Sequence, residues 1–186
     1  MEYLGLWIVL GIVGVIILWA IVTFNRMIVL RNRIDNSWSQ VDVQLRRRYD
    51  LIPNLVETVK GYAAHERQTF EEVTKARQAG IDARTVADQA QAENLITGAL
   101  RRLFAVAEAY PQLRASENFM QLQEELAGTE GKIAYARQFY NDSVLTYHNL
   151  IQAFPPRIVA GMCGFKPRDY FEIEEPEARG PVQVQF

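Results

Sequence analysis

From Tyr3 to Asn25 the chain carries no charged side chain, and the run Leu4–Phe24 is apolar but for its glycines and Thr23. About 20 apolar residues, rising 1.5 Å each in a helix, span the roughly 30 Å hydrocarbon core of a bilayer. The sequence therefore predicts an N-terminal transmembrane anchor over residues 1–25. A cleaved signal peptide would carry a basic start and a small-residue cleavage site. Here Glu2 is the only charged side chain before the run, which ends Thr23-Phe24-Asn25-Arg26. Trp7 and Trp19 lie toward its two ends, as interfacial aromatics do. Gly11 and Gly14 are spaced too closely for a G-x-x-x-G helix pair. Arg26, Arg31 and Arg33 follow the run and no Lys or Arg precedes it, so the positive-inside rule places the following domain in the cytoplasm and the N-terminus outside.

The rest of the 186 residues suffices for one domain. A net charge of -2 gives no basic excess to attract nucleic acid. One cysteine, Cys163, and two histidines, His65 and His148, leave few metal ligands and no internal disulfide. His65-Glu66 does not open a zinc-protease motif, because position 69 is Thr and not a second histidine. Neither a nucleophile elbow nor a phosphate-binding glycine loop occurs in the sequence. No catalytic residue, cofactor or metal ligand is assigned, and the chain is not expected to be an enzyme.

Beyond the anchor the apolar residues follow a helical period. Ile34, Trp38, Val41, Leu45, Ile52, Leu55, Val59 and Tyr62 recur three or four apart, interrupted by Arg48, and Phe70 and Val73 extend the pattern to about Arg77. Pro53 lacks a backbone donor and predicts a kink or short interruption. Gly80 and Asp82 mark a turn, Thr85 caps a helix from Val86 to Tyr110, and Tyr110-Pro111 ends it. Ser116 reads as the cap of a long helix whose stripe is Phe119, Leu122, Leu126, Thr129, Ile133, Ala136, Tyr140, Val144, Tyr147, Ile151 and Phe154. All but Thr129 suit a core. Pro155-Pro156 stops this helix, Ile158–Gly161 adds one short turn, and an acidic tail follows, closing in an alternating Val182–Phe186 segment. The expected fold is all-α: a transmembrane helix followed by an elongated antiparallel bundle of three or four long helices over residues 26–161, then an extended tail over 162–186.

The densest charge run is Arg46-Arg47-Arg48-Tyr49-Asp50. Arg46 lies about 20 residues past the anchor, or roughly 30 Å along an unbroken helix, which exceeds a Debye length of about 8 Å. Pairing with carboxylates of neighbouring helices or of another protomer is a better reading than lipid contact, with a plain solvated helix face as the alternative. On the long helix, Glu130 and Arg137 are seven apart and share a face, where they would set register. His148 beside Tyr147 reads as a surface or interhelical hydrogen bonder.

The segment Arg47-Arg48-x-Asp50-Leu51-Ile52-Pro53-Asn54-Leu55-Val56-x-x-Val59-Lys60-x-Tyr62, followed by His65-Glu66, resembles the signature of the LemA family. So do Ala107-Glu108-x-Tyr110-Pro111-x-Leu113, Phe119-x-x-Leu122-Gln123, Thr129-Glu130-x-x-Ile133, Ala136-Arg137-x-x-Tyr140-Asn141 and Phe154-Pro155. The resemblance extends from the anchor to about Phe171; His148 departs from it, standing where the family commonly has Asn. It implies a bacterial single-pass membrane protein with a helical bundle, here in the inner (cytoplasmic) membrane, and supplies no catalytic residue. A relative that helps build magnetosome membranes makes a membrane-organising role the natural analogy. Arg47, Arg48, Asp50, Asn54, Lys60, Tyr62, His65 and Glu66, with Glu130 and Arg137, are the candidate protein–protein contacts. The expected partners are the lipid bilayer and further copies of the chain, as a scaffold. The alternative is an adaptor or regulator presenting the bundle to another membrane protein, such as a sensor kinase or protease.

Overall fold

The structure, a computed structural model, describes residues 2–172. Among these every element is a helix and no strand occurs. The order is α1 (Glu2–Lys60), α2 (Arg67–Asp82), α3 (Val86–Glu108), α4 (Pro111–Arg114), α5 (Glu117–Gln152) and α6 (Pro156–Cys163). The described residues divide into two compact units, one of residues 2–41 with 136–169, the other of residues 42–135 with 170–172. Helix α1 runs unbroken through residue 25, from the apolar run into the polar-patterned segment.

In the first unit, the run Tyr3–Leu18 of α1 is exposed along its length, and α1 is the one described helix long and apolar enough to cross a membrane. Beyond the run, Met27, Ile34 and Val41 turn inward on the helical period, joined by Tyr140, Val144, Tyr147 and Ile151 of α5. Trp38 meets Tyr140 with ring centroids 5.2 Å apart, and Arg33 stacks over Phe139. The Tyr140 hydroxyl donates to the Asp169 carbonyl (2.8 Å), and burial pushes its pKa up to about 12. The Tyr147 hydroxyl donates to the Lys166 carbonyl. His148 is the expected hydrogen bonder: its Nε2 accepts from the Arg168 backbone N–H at 2.9 Å, while the Arg168 guanidinium reaches Asp35.

In the second unit α2 packs on α3. Thr85 caps α3 as the sequence predicts, its hydroxyl accepting from the Asp88 N–H while the Asp88 carboxylate accepts from the Thr85 N–H. Pro111 opens α4 at a position where its missing donor costs nothing. Two expectations change. Helix α1 is not interrupted at Pro53; the break falls at Gly61–Glu66. A proline at position 53 strips the Tyr49 carbonyl of its i+4 donor, and Arg77 Nε supplies one instead at 2.7 Å. Gly80 is not a turn residue either, since α2 continues to Asp82. It is buried, and a Cβ there would lie 2.7 Å from the Tyr49 hydroxyl oxygen and 3.1 Å from Ile96 Cδ1. Glycine is needed for that close approach.

Helix α5 follows the predicted stripe with Phe119, Leu126, Thr129, Ile133 and Ala136 all buried. Leu122 is half-buried, and Phe154 leaves the stripe altogether at 83% exposure, because α5 ends at Gln152 and its register is lost. The expected single turn at Ile158–Gly161 is the eight-residue α6, closed by Gly164 in the left-handed conformation (φ 72°). Residues 165–172 are irregular, and the closing Val182–Phe186 alternation lies outside the described residues.

Candidate functional site

Position 48 belongs to the buried face of α1: Leu45, Arg48, Ile52 and Leu55 follow one another at helical spacing, and each is nearly inaccessible. The residue breaking the apolar stripe is thus turned inward with the rest, and its charge must be met inside the second unit. Arg48 Nη1 donates to Glu93 Oε2 at 2.6 Å, and Nη2 to the Thr97 hydroxyl at 3.2 Å. On its other edge Nε lies 2.8 Å from Glu130 Oε1. Neither of those two atoms has a well-directed hydrogen bond, so this contact is Coulombic attraction without a directed bond.

Three residues of α3, Gln89, Glu93 and Thr97, are four apart and line one face. The Glu93 side chain is wholly buried. Its second oxygen accepts from the Tyr49 hydroxyl, which in turn accepts from Gln89 Nε2. Gln89 Nε2 also approaches Glu93 Oε1 (3.2 Å) and the Gly80 carbonyl (3.4 Å). Burial first, then the adjacent Glu93 charge, raise the Tyr49 pKa far above that of a free phenol, so its proton stays on the oxygen that donates it. Burial also raises the Glu130 pKa; Arg48 pulls it down again and Glu93 pushes it up. One guanidinium is therefore shared by two carboxylates, one fully enclosed and one at the edge of the unit.

That edge opens into a cleft of about 580 Å³ between α3 and α5. Leu100, Phe104 and Leu126 form its apolar wall, and Arg48, Thr97 and Glu130 its polar end. At that end the Arg48 charge is met by Glu93 and Glu130, so the cluster holds helices together and presents no unbalanced charge. Among the described residues, no group of three His, Cys, Asp or Glu side chains could hold a metal.

Of the candidates read from sequence, Arg48 and Glu130 come together. Arg47, Asp50 and Asn54 are exposed on α1, as is Lys60, which lies 3.4 Å from Glu57. Tyr62 is 45% exposed, His65 is exposed, and Glu66 is half-buried just before α2. Arg137 is half-buried on α5, within the first unit. Sequence reasoning missed Gln89, Glu93 and Thr97. Their signal is a polar stripe four residues apart on a helix whose other inward positions are Ala, Ile and Leu.

The sequence pattern of the LemA family matches residues 37–186. The chain is 25% identical over 185 residues to magnetosome protein MamQ 2 of Paramagnetospirillum magneticum, covering 86% of this chain and 68% of that one. Magnetosome protein MamQ of Magnetospirillum gryphiswaldense is 24% identical over the same shares. Protein LemA of Metamycoplasma hominis is 25% identical over 140 residues, 73% of this chain and 63% of its own. With its signature segment, its helical fold and a family match over most of its length, the chain belongs to the LemA family.

Proposed function

We propose that this protein is a single-pass, membrane-anchored, non-catalytic scaffold that assembles with copies of itself and organises the membrane holding it. The observation that supports self-assembly is the outward face of α1. Arg47, Asp50, Asn54 and Glu57 recur there three or four apart, all exposed. Neither Arg47 nor Asp50 forms an ion pair among the described residues. A helix face carrying both signs is complementary to a displaced copy of itself, so that Arg47 of one copy meets Asp50 of the next and the contact can repeat through an assembly.

The similar magnetosome proteins support membrane association, and the internal use of Arg48, Tyr49 and Glu93 supports a non-catalytic role. Arg26, Arg31 and Arg33 after the apolar run support the bacterial cytoplasmic membrane, with the helical units on the cytoplasmic side. The short 83–85 connection between the packed helices α2 and α3 supports an antiparallel bundle.

The test is sedimentation of the full chain in detergent. A uniform higher-order particle is expected, and Arg47→Glu should shrink it. A wild-type monomer or dimer would overturn self-assembly in favour of an adaptor for a different membrane protein. An unchanged profile for Arg47→Glu would remove this face as the contact.

A further inference from the structure

We propose that α6 is a membrane-interfacial foot: a short helix lying in the leaflet that the C-terminal end of the spanning segment enters, with Phe154, Ile158 and Met162 set into the boundary between headgroups and acyl chains. The inference rests on reading the apolar run of α1 as a membrane anchor. Four observations within the first unit carry it.

The first is a height marker. From Leu4 to Phe24 the run is 21 residues long, about 31 Å of helix, against a hydrocarbon core of roughly 30 Å. Phe24 therefore sits at the edge of the core, and Asn25 and Arg26 sit among headgroups. The second ties α6 to that marker. The ring of Phe165 packs edge-on against Phe24 at 5.5 Å, and Arg31 lies over the same ring. Phe165 is held to α6 through the Gly164 cap, its N–H donating to the Ala160 carbonyl at 3.0 Å. The C-terminal end of α6 is thereby held at the level of Phe24.

The third is exposure along α1. Every described residue from Tyr3 to Leu18 is open, yet Thr23 is 6% and Met27 0% exposed. Protein cover therefore begins before the apolar run ends. The fourth is the character of the outer face. Val159 and Ala160 turn inward, while Ile158 and Met162, four apart, turn outward at 53% and 84% exposure, and Gly161 and Cys163 are also open. Phe154, just before the helix, is exposed as well. Both faces of α6 are thus apolar, and Arg157 is its only charged residue. Isolated apolar side chains are ordinary on a water-facing surface. Large ones clustered beside the exit of a spanning helix match the surface of an interfacial helix. The occupant of this face is the lipid already surrounding the neighbouring run, and Arg157 and Arg31 reach the phosphate layer by extending their stems.

The test uses the full chain in nanodiscs of phosphatidylcholine with anionic phosphatidylglycerol. An environment-sensitive NBD label is placed on native Cys163, and separately on Met162→Cys in a Cys163→Ser background. In that same background Ile12→Cys reports the bilayer interior, and exposed Gln40→Cys, about 24 Å along α1 from Phe24, reports water. Labels at 162 and 163 should be blue-shifted relative to 40, lose most of their emission to nitroxides near the headgroup end of the lipid chains, and resist aqueous iodide. If 162 and 163 match 40 while 12 is quenched from lipid, the anchor stands and the foot is overturned. If 12 is also unquenched, the anchor reading falls and takes the foot with it.

Discussion

Replacing Arg48 by methionine leaves the wholly buried Glu93 carboxylate with only the Tyr49 hydroxyl and the Gln89 amide as donors. It also leaves Glu130 facing Glu93 with no cation between them. Removing one partner of a buried ion pair costs about 3–5 kcal/mol. The reciprocal variant, Glu93→Gln, is milder. Arg48 keeps Glu130 2.8 Å away, so the charge stays balanced, and the loss is about 1–3 kcal/mol for hydrogen bonds left unmade. The structure therefore predicts an asymmetry of about 2 kcal/mol between two variants that break the same contact. A third variant, Arg48→Met with Glu93→Leu, removes both charges and should be more stable than Arg48→Met alone, because apolar replacement of a buried pair is commonly near neutral.

The assay is urea and thermal unfolding of the full chain in detergent, followed by helical circular dichroism. At about 2–4 °C per kcal/mol for a chain of this length, Arg48→Met should melt roughly 6–20 °C below wild type. Equal losses for Arg48→Met and Glu93→Gln, or a double variant no better than Arg48→Met, would refute the account of one cation balancing two carboxylates.

Two further outcomes follow from the same unit. Arg77→Met should cost about 1–3 kcal/mol by orphaning the Tyr49 carbonyl, and Pro53→Ala should recover part of that loss only in the Arg77→Met background, by returning the helical donor; equal effects of Pro53→Ala in both backgrounds would count against the substitution of donors. The folded pKa of Glu130 is raised above the 4.5 of a free glutamate, chiefly by burial, so its neutral form is favoured in the fold. Its contribution to stability is fully present below pH 4.5 and is lost as pH rises through the folded pKa. Glu130→Gln should flatten that limb of the stability–pH profile, and an unaltered slope would remove Glu130 as its source.

Local signals were read well where the physics is local. An uncharged apolar run, a Thr85–Asp88 cap, a proline at position 111 and the α5 stripe each act within one or two turns. Misreadings fall where the cause lies far away in sequence. Pro53 looks like a break until the Arg77 side chain, arriving from α2, restores the missing donor. Gly80 looks like a turn until Tyr49 is found against it. Arg48 looks like an interruption because its counter-ion is 45 residues distant, on a helix whose composition signals only high propensity. Phe154 is the converse case: periodicity extends the core stripe to it, but the helix carrying that period has already ended.

The placement of charge along α3 explains why a buried ion pair is retained at all. The inward face of α3 mixes small and aliphatic side chains, with Ala92, Ile96, Ala99, Leu100, Leu103 and Ala107 all buried. A slide of one turn against α1 would set Leu100 where Ile96 packs and Leu103 where Ala99 packs, an exchange among apolar side chains that their contacts oppose only in part. The polar stripe removes that freedom. Its members lie one turn apart, so a slip in either direction would bring Gln89 or Thr97 to the place of Glu93. Both are neutral, and Arg48 would lose its enclosed counter-ion at a cost of about 3–5 kcal/mol. Tyr49 adds a second condition, because its hydroxyl fits only where Gly80 leaves room and Glu93 and Gln89 meet it together. The cluster thus acts on which alignment the helices adopt more than on how tightly they hold. Arg48→Met with Glu93→Leu should therefore recover stability while exchanging its amide hydrogens along α3 faster than wild type, as an alignment held by apolar contacts alone would.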